Sequence, residues 1–160
     1  MPESSSPQRG PQHDRLDVFV GRWALSGHQQ ASPFGPAAEV AASESYEWLP
    51  GRFFLVHRFE GRVGAQPMAC IEIAGYDDGA GCYRFHAFYN DGRTMQWNGR
   101  EDGDTWVLEG AWPDDSGRPL KVRCTMWFID DGHTRTARWE HSTDGVSWQT
   151  FWDVSATRPA

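Results

Sequence analysis

The fold is decided by residues 82–112, which read CYRFHAFYNDGRTMQWNGREDGDTWVLEGAW. Three runs of aromatic and aliphatic residues, interleaved with polar ones, are separated by the turns Asn90-Asp91-Gly92 and Glu101-Asp102-Gly103. Asp-Gly pairs supply the positive φ that tight hairpin turns require. This stretch therefore predicts three antiparallel strands joined by short hairpins.

The same pattern continues in both directions along the chain. Further turns occur at Leu49-Pro50-Gly51, Asp77-Asp78-Gly79, Asp130-Asp131-Gly132 and Thr143-Asp144-Gly145. The runs between the turns predict ten strands, at residues 22–30, 38–48, 52–62, 67–76, 82–89, 93–100, 104–112, 119–129, 133–141 and 146–156. An open sheet of this size would expose two long edges. We therefore predict an all-β fold, a closed up-and-down antiparallel β-barrel, with a two-sheet sandwich as the alternative.

The front of the chain differs from the rest. Residues 1–13 carry no apolar run and predict a flexible tail. Asp14 is predicted to cap a short helix that runs through Phe19, with Leu16 and Phe19 on one face. The barrel domain is accordingly predicted over residues 14–158.

The composition of the chain indicates which kinds of binding partner and which cellular location to expect. The chain has 160 residues and a net charge of −7, which predicts one globular domain and argues against nucleic acid or an acidic membrane as a partner. No stretch predicts a signal peptide or a membrane span. Three widely spaced cysteines, Cys70, Cys82 and Cys124, predict reduced thiols in a cytoplasmic protein. A single lysine among many arginines suggests a bacterial source.

The chain resembles the calycin superfamily, which includes lipocalins, fatty-acid-binding proteins and nitrobindins. Gly21-Arg22-Trp23 after a short helix is similar to the G-x-W signature of that superfamily. The whole chain resembles an uncharacterised bacterial lipocalin-like family. The residues that carry this likeness are Leu49-Pro50-Gly51-Arg52-Phe53, Gly75-Tyr76-Asp77, Ser142-Thr143-Asp144-Gly145-Val146-Ser147-Trp148 and Arg158.

The resemblance implies roles for particular residues. In calycins the tryptophan of the first strand packs across one barrel end against a late arginine. Carried over, Trp23 and Arg158 would form a structural plug. The nitrobindin branch implies haem held by a strand histidine, for which His86 and His141 are the candidates. No H-x-H or H-E-x-x-H spacing occurs, and no metal site is predicted.

The leading functional hypothesis is the binding of a small hydrophobic or aromatic molecule inside the barrel. Aromatic enrichment on a barrel wide enough to be hollow favours it. Because side chains alternate between the two faces of a strand, about half of the candidate wall residues are expected to face inward. The candidates are Tyr46, Phe59, Tyr76, His86, Trp97, Arg123, Trp127, Arg138, Trp139 and Trp152.

The alternative hypothesis is a barrel enzyme, namely a cyclase, isomerase or hydratase acting on a hydrophobic metabolite. Glu72 lies among apolar neighbours, so an inward orientation would raise its pKa and suit acid–base chemistry. Its predicted partner is His57, Arg123 or Arg138. A haem-binding barrel is the second alternative. Apolar residues on both faces of the middle strands also predict a homodimer.

Overall fold

In the computed structural model, which describes residues 6–160, ten antiparallel strands close into a single barrel. The strands, named β1 to β10 in chain order, are Gly21–Gln29, Ala38–Trp48, Phe54–Val63, Gln66–Asp77, Cys82–Tyr89, Thr94–Asp102, Thr105–Pro113, Pro119–Ile129, Thr134–Ser142 and Gln149–Thr157. Each strand pairs with the next one along the chain. The prediction of an all-β, up-and-down barrel is confirmed.

Closure depends on the pairing of the first strand with the last. Ala24 lies opposite Thr157, and the antiparallel register continues to Gln29 opposite Trp152. Because β1 also pairs with β2, neither terminal strand is left as a free edge. The sandwich alternative is therefore wrong.

A short helical segment covers one end of the barrel. Helix α1, Pro11–Arg15, is followed by a 3₁₀ turn, Leu16–Phe19. The helix begins earlier than the predicted Asp14 because Gly10 occupies the N-cap position and Pro11 suits the first helical turn. Residues 1–5 of the predicted tail lie outside the described residues. No helix within residues 6–160 has the length and apolar character needed to cross a membrane.

Leu16 and Phe19 are the residues that seal this end. Both are fully buried in the barrel core, as the predicted helix face requires. The ring of Phe19 packs edge-on against Trp106 and Phe128, with centroid distances of 4.9 and 5.2 Å. The segment that precedes the first strand is thus part of the core, and we call this the closed end of the barrel.

The last strand begins three residues later than predicted. Oδ1 of Asp144 accepts hydrogen bonds from the backbone N–H groups of Val146 and Ser147, both at 2.8 Å, which holds this segment in a loop. Val146 is 82% exposed in this loop. A β-bulge between Thr150 and Trp152 then shifts the alternation, and both Phe151 and Trp152 are buried.

Aromatic rings fill most of the barrel interior. They fit because glycines on neighbouring strands leave room for them. A Cβ on Gly110 would lie 2.8 Å from Cζ3 of Trp97, and a Cβ on Gly99 would lie 2.7 Å from Cε2 of Phe85. Trp97 and Phe85 are both almost fully buried. These rings pack directly against the glycines and leave a residual space in the lumen.

Candidate functional site

The residual space in the lumen is a cavity of about 90 Å³. A molecule of liquid water occupies about 30 Å³, so the cavity itself has room for a group of a few heavy atoms, and a larger molecule would extend beyond it. Most of its wall is apolar. The aromatic members are Phe19, Tyr46, Phe59, Phe85, Tyr89, Trp97, Trp112, Trp139, Phe151 and Trp152.

The other end of the barrel has a wider depression of about 340 Å³, which we call the mouth. The cavity and the mouth share four wall residues, Met68, Trp112, Phe151 and Trp152. Phe34, in the connection between β1 and β2, packs on Phe151 and Trp112 with centroid distances of 4.7 and 5.5 Å. The guanidinium of Arg93 lies 5.1 Å from the ring of Trp112. A ligand that enters the cavity from the mouth therefore passes these side chains.

One row of polar residues crosses the wall on β2, β3 and β4. The strand register places Tyr46 opposite His57, and His57 opposite Glu72. Glu44 lies two residues before Tyr46 and therefore projects from the same face. All four residues are buried, and all four line the cavity.

His57 joins two carboxylates. Its Nδ1 lies 3.2 Å from Oε1 of Glu72, and its Nε2 lies 3.2 Å from Oε1 of Glu44. The Tyr46 ring stacks on the imidazole with a centroid distance of 4.0 Å and an interplanar angle of 2°. An imidazole can donate to a carboxylate from each nitrogen only when it carries both protons, so this geometry favours the imidazolium.

The charges of this row follow from its contacts. Burial disfavours the imidazolium, but the hydrogen bonds to Glu44 and Glu72 outweigh it and raise the pKa of His57 to about 9. Burial alone would raise the pKa of Glu44, yet the Arg135 guanidinium and His57 lower it to about 2. Glu44 and His57 are therefore both charged at neutral pH.

Arg135 reaches this row from β9. Its Nη2 forms an ion pair with Oε2 of Glu44, and its Nη1 donates to the Tyr46 hydroxyl at 3.3 Å. Burial disfavours its charge, but Glu44 keeps the pKa of Arg135 raised. The Arg135 guanidinium also lies 5.2 Å from the ring of Trp23. Arg135 therefore connects the polar row to the first strand.

Trp23 has a second arginine against it. The guanidinium of Arg158 lies 4.1 Å from its ring centroid, and the indole Nε1 donates to the carbonyl of Phe19 at 2.8 Å. Arg158 also donates to the carbonyls of Val18 and Val20, at 3.0 and 2.6 Å. These contacts bring the last residues of the chain, the first strand and the 3₁₀ turn together at the closed end.

Seven of the predicted site residues lie on the cavity wall. They are His57 and Glu72 from the catalytic hypothesis, together with Tyr46, Phe59, Trp97, Trp139 and Trp152 from the binding hypothesis. The predicted partnership of Glu72 with His57 is present at hydrogen-bonding distance.

The other five predicted wall residues lie elsewhere. Arg123 pairs with Glu140, and Arg138 pairs with Asp153, both on the outer face. Trp127 is 37% exposed on the outer face of β8. His86 lines an outer groove beside Ile73. Tyr76 packs on Tyr83 near the closed end with a centroid distance of 5.0 Å, and it does not line the cavity.

Sequence reasoning missed Arg135, and among the strand carboxylates it favoured Glu72 over Glu44. Arg135 lies on the same face of β9 as Trp139, four residues away, so its orientation follows once Trp139 is placed inside. Glu44 shares a face with Tyr46 by the same rule. The alternation of side chains along β2 and β9 could have located both residues, but only once the inward face of each strand was known.

The residues present do not fit haem. His86 lies outside the cavity, both nitrogens of His57 are engaged, and about 90 Å³ is too small for a porphyrin. His141 is buried beneath the Phe34 ring and does not line the cavity, and burial lowers its pKa. Within residues 6–160, no group of three or more His, Cys, Asp or Glu side chains is arranged to hold a metal ion.

The fold and the site define a ten-stranded closed barrel with a buried polar row in its lumen. Residues 8–158 match the family described as "protein of unknown function (DUF1579)", and the chain belongs to that family. Among curated proteins no match was found. Solved structures do match, and one of them is the crystal structure of Rv2717c from M. tuberculosis. It has 14% sequence identity and a TM-score of 0.67, over 96% of this chain and 100% of that one, which shows a shared fold.

Proposed function

We propose that this protein binds a small apolar molecule in the lumen of its barrel. The observation that carries the proposal is the cavity of about 90 Å³ beneath the mouth, with a wall that is mainly aromatic. Pockets lined by apolar side chains with a few placed polar groups are typical of small-molecule sites. A larger ligand would extend towards the mouth along the shared wall residues.

A titration of the intrinsic tryptophan fluorescence with small apolar molecules tests the proposal. Four tryptophans line the cavity, namely Trp97, Trp112, Trp139 and Trp152, so occupancy should change the emission. Ala137→Leu adds three carbon atoms to the cavity wall and should abolish the change. Ala111→Leu makes the same substitution at an exposed position of β7 and should leave it intact. A flat emission across the series would refute binding in the lumen.

A second candidate function is catalysis on an apolar substrate, and the polar row of Glu72, His57, Glu44 and Arg135 favours it. Burying four charged groups costs free energy that a purely structural lumen would avoid, and such groups are concentrated at functional sites. Glu72, held by His57 at the cavity wall, is the residue in position for proton transfer. The reaction class proposed for it is that of a cyclase, isomerase or hydratase.

Variants separate catalysis from binding alone. If the protein is an enzyme, Glu72→Gln and His57→Ala should abolish turnover of a substrate while most of the ligand affinity remains. If affinity and turnover fall together, the polar row serves binding. The measurement is a comparison of kcat with the dissociation constant for each variant.

We further propose that the protein is related to the calycins and that it is cytoplasmic. The contact between Trp23 and Arg158 supports the calycin relationship, since it matches the plug that the resemblance implies. A cytoplasmic location is supported by the three unpaired cysteines, Cys70, Cys82 and Cys124.

The homodimer stays a prediction of the sequence. Ile71 and Phe88 lie opposite each other on β4 and β5 and are 47% and 54% exposed, which makes them the pair on which self-association would depend. Sedimentation equilibrium of the native protein and of Phe88→Glu checks it. A native protein that is monomeric at all concentrations would contradict the prediction.

A further inference from the structure

We propose that the lumen selects a neutral molecule with a hydroxyl group on an apolar body, and that the hydroxyl lies between Glu72 and Tyr89. This inference rests on the proposed binding function and names the class of ligand. It is carried by the unused hydrogen-bonding capacity of these two side chains and by the charge balance around them.

Glu72 supplies the acceptor. Its Oε1 is engaged by His57, whereas no residue in the described part of the chain donates a hydrogen bond to its Oε2. Glu72 is 8% exposed and lines the cavity. Because this oxygen is open to the cavity, a ligand that brings an O–H or N–H group to it gains a charge-assisted hydrogen bond there.

Tyr89 supplies the complementary donor. It lines the same cavity, and within residues 6–160 its hydroxyl forms no hydrogen bond. Burial, with smaller contributions from Cys70 and Glu72, raises the pKa of Tyr89, so the phenol remains protonated. Tyr89 is paired with Cys70, and Glu72 lies two residues further along that strand. Glu72 and Tyr89 are therefore diagonal neighbours on the inner face of adjacent strands, close enough for long side chains to interact with one bound group.

The charges on the cavity wall make it neutral. The charged residues of the wall are Glu44, Glu72, His57 and Arg135, two negative and two positive. They are joined to one another by ion pairs and hydrogen bonds. A cationic or anionic ligand would leave one buried charge without a counterpart, and a buried uncompensated charge is strongly unfavourable. An uncharged hydroxyl compound keeps the balance.

The position of the polar row sets the orientation of the ligand. Met68, Cys70 and Glu72 follow one another down the inner face of β4, and Met68 belongs to the mouth. A hydroxyl at Glu72 therefore leaves the apolar body directed towards the mouth. There it meets the aromatic residues that the cavity and the mouth share, including Trp112 and Phe151.

The test uses four molecules of similar size, namely benzyl alcohol, toluene, benzylammonium and benzoate, titrated against the full-length protein at pH 7.5 by calorimetry and tryptophan fluorescence. Benzyl alcohol should bind at least about tenfold more tightly than toluene, because it adds a hydrogen bond to a carboxylate. Benzylammonium and benzoate should both bind more weakly than toluene.

Two variants locate the hydroxyl. Tyr89→Phe removes one oxygen atom and should lower the affinity for benzyl alcohol about fivefold, with toluene unchanged. Glu72→Gln should reduce the preference for benzyl alcohol over toluene by about tenfold. It also leaves the wall with one net positive charge, so benzoate should gain affinity relative to the native protein.

The outcomes distinguish this inference from the proposed function. If none of the four molecules binds, the proposed function fails and this inference fails with it. If toluene binds as tightly as benzyl alcohol, the lumen is a binding site but the hydroxyl selection is wrong. If benzylammonium or benzoate binds most tightly, or if both variants leave the preference for benzyl alcohol unchanged, the selection is also wrong.

Discussion

Arg158 covers the indole of Trp23, with 4.1 Å between its guanidinium carbon and the ring centroid. Besides this cation–π contact, Arg158 donates to the carbonyls of Val18, Val20 and Gly132, which belong to segments far from it in sequence. Residues from both chain ends are thereby fastened at the closed end of the barrel, next to the strand pair that closes the sheet.

Trp23→Ala should destabilise the protein by about 3–5 kcal/mol, the cost of emptying a buried aromatic position. Arg158→Ala should cost about 1–3 kcal/mol, since it removes the cation–π contact with Trp23 and the hydrogen bonds to three backbone carbonyls. Urea unfolding at pH 7 measures both. Arg22→Ala, at an exposed position of the same strand, is the control and should change stability by less than about 0.5 kcal/mol. An unchanged midpoint for Trp23→Ala would show that the plug does not stabilise the barrel.

The stability of the barrel should depend on pH through His57. Its pKa is raised from 6.5 to about 9 in the folded state. Below pH 6.5 the proton is bound in both states and the stabilisation is complete. Above that pH the unfolded chain loses the proton first, so stability falls, on the order of 2 kcal/mol between pH 6.5 and 9.

Glu44 should produce the opposite pH dependence, a loss of stability at low pH. Its pKa is lowered from 4.5 to about 2, so its contribution is present above pH 4.5 and is lost as the pH falls towards 2. Unfolding free energies measured from pH 3 to pH 9 should therefore be greatest near pH 5–6.5. In His57→Gln the decline above pH 6.5 should disappear, whereas His133→Gln, on the surface, should retain it. A stability that rises from pH 7 to pH 9 would contradict the charge assignment.

The close packing of Trp97 on Gly110 gives a further prediction. A Cβ at position 110 would lie 2.6 Å from the backbone oxygen of Gln96 and 2.8 Å from Cζ3 of Trp97. Gly110→Ala should therefore cost about 1–3 kcal/mol and push the ring into the cavity, which should weaken ligand binding. The measurements are urea unfolding and ligand titration, with Ala111→Val at the exposed neighbouring position as the control. Full stability with unchanged binding would mean that the ring is not confined as the structure has it.

The sequence was sufficient for the number, order and closure of the strands because these depend on turn residues and on the penalty for exposed edges. It was not sufficient to predict which face of each strand points into the barrel. Phe88 and Trp127 have the character of core residues, yet they lie on the outer face. The bulge before Trp152 places two successive residues inside, which simple alternation does not anticipate.

The polar row as a whole could not be predicted because it depends on the register between strands, which turn residues define only approximately. A shift of one residue between β3 and β4 would have placed Glu72 on the outer face. Arg135 meets Glu44 across the lumen, a contact between strands that are not neighbours in the sheet. Only the closed barrel brings those two residues together.

The indole N–H signals of the nine tryptophans, followed by NMR during a titration with benzyl alcohol, test the central claim most directly. If the lumen is the binding site, the signals that move are those of the cavity tryptophans, Trp97, Trp112, Trp139 and Trp152. Trp127 and Trp148, outside the cavity wall, should keep their positions. Shifts confined to Trp127 and Trp148, or no shifts at millimolar benzyl alcohol, would contradict binding inside the barrel.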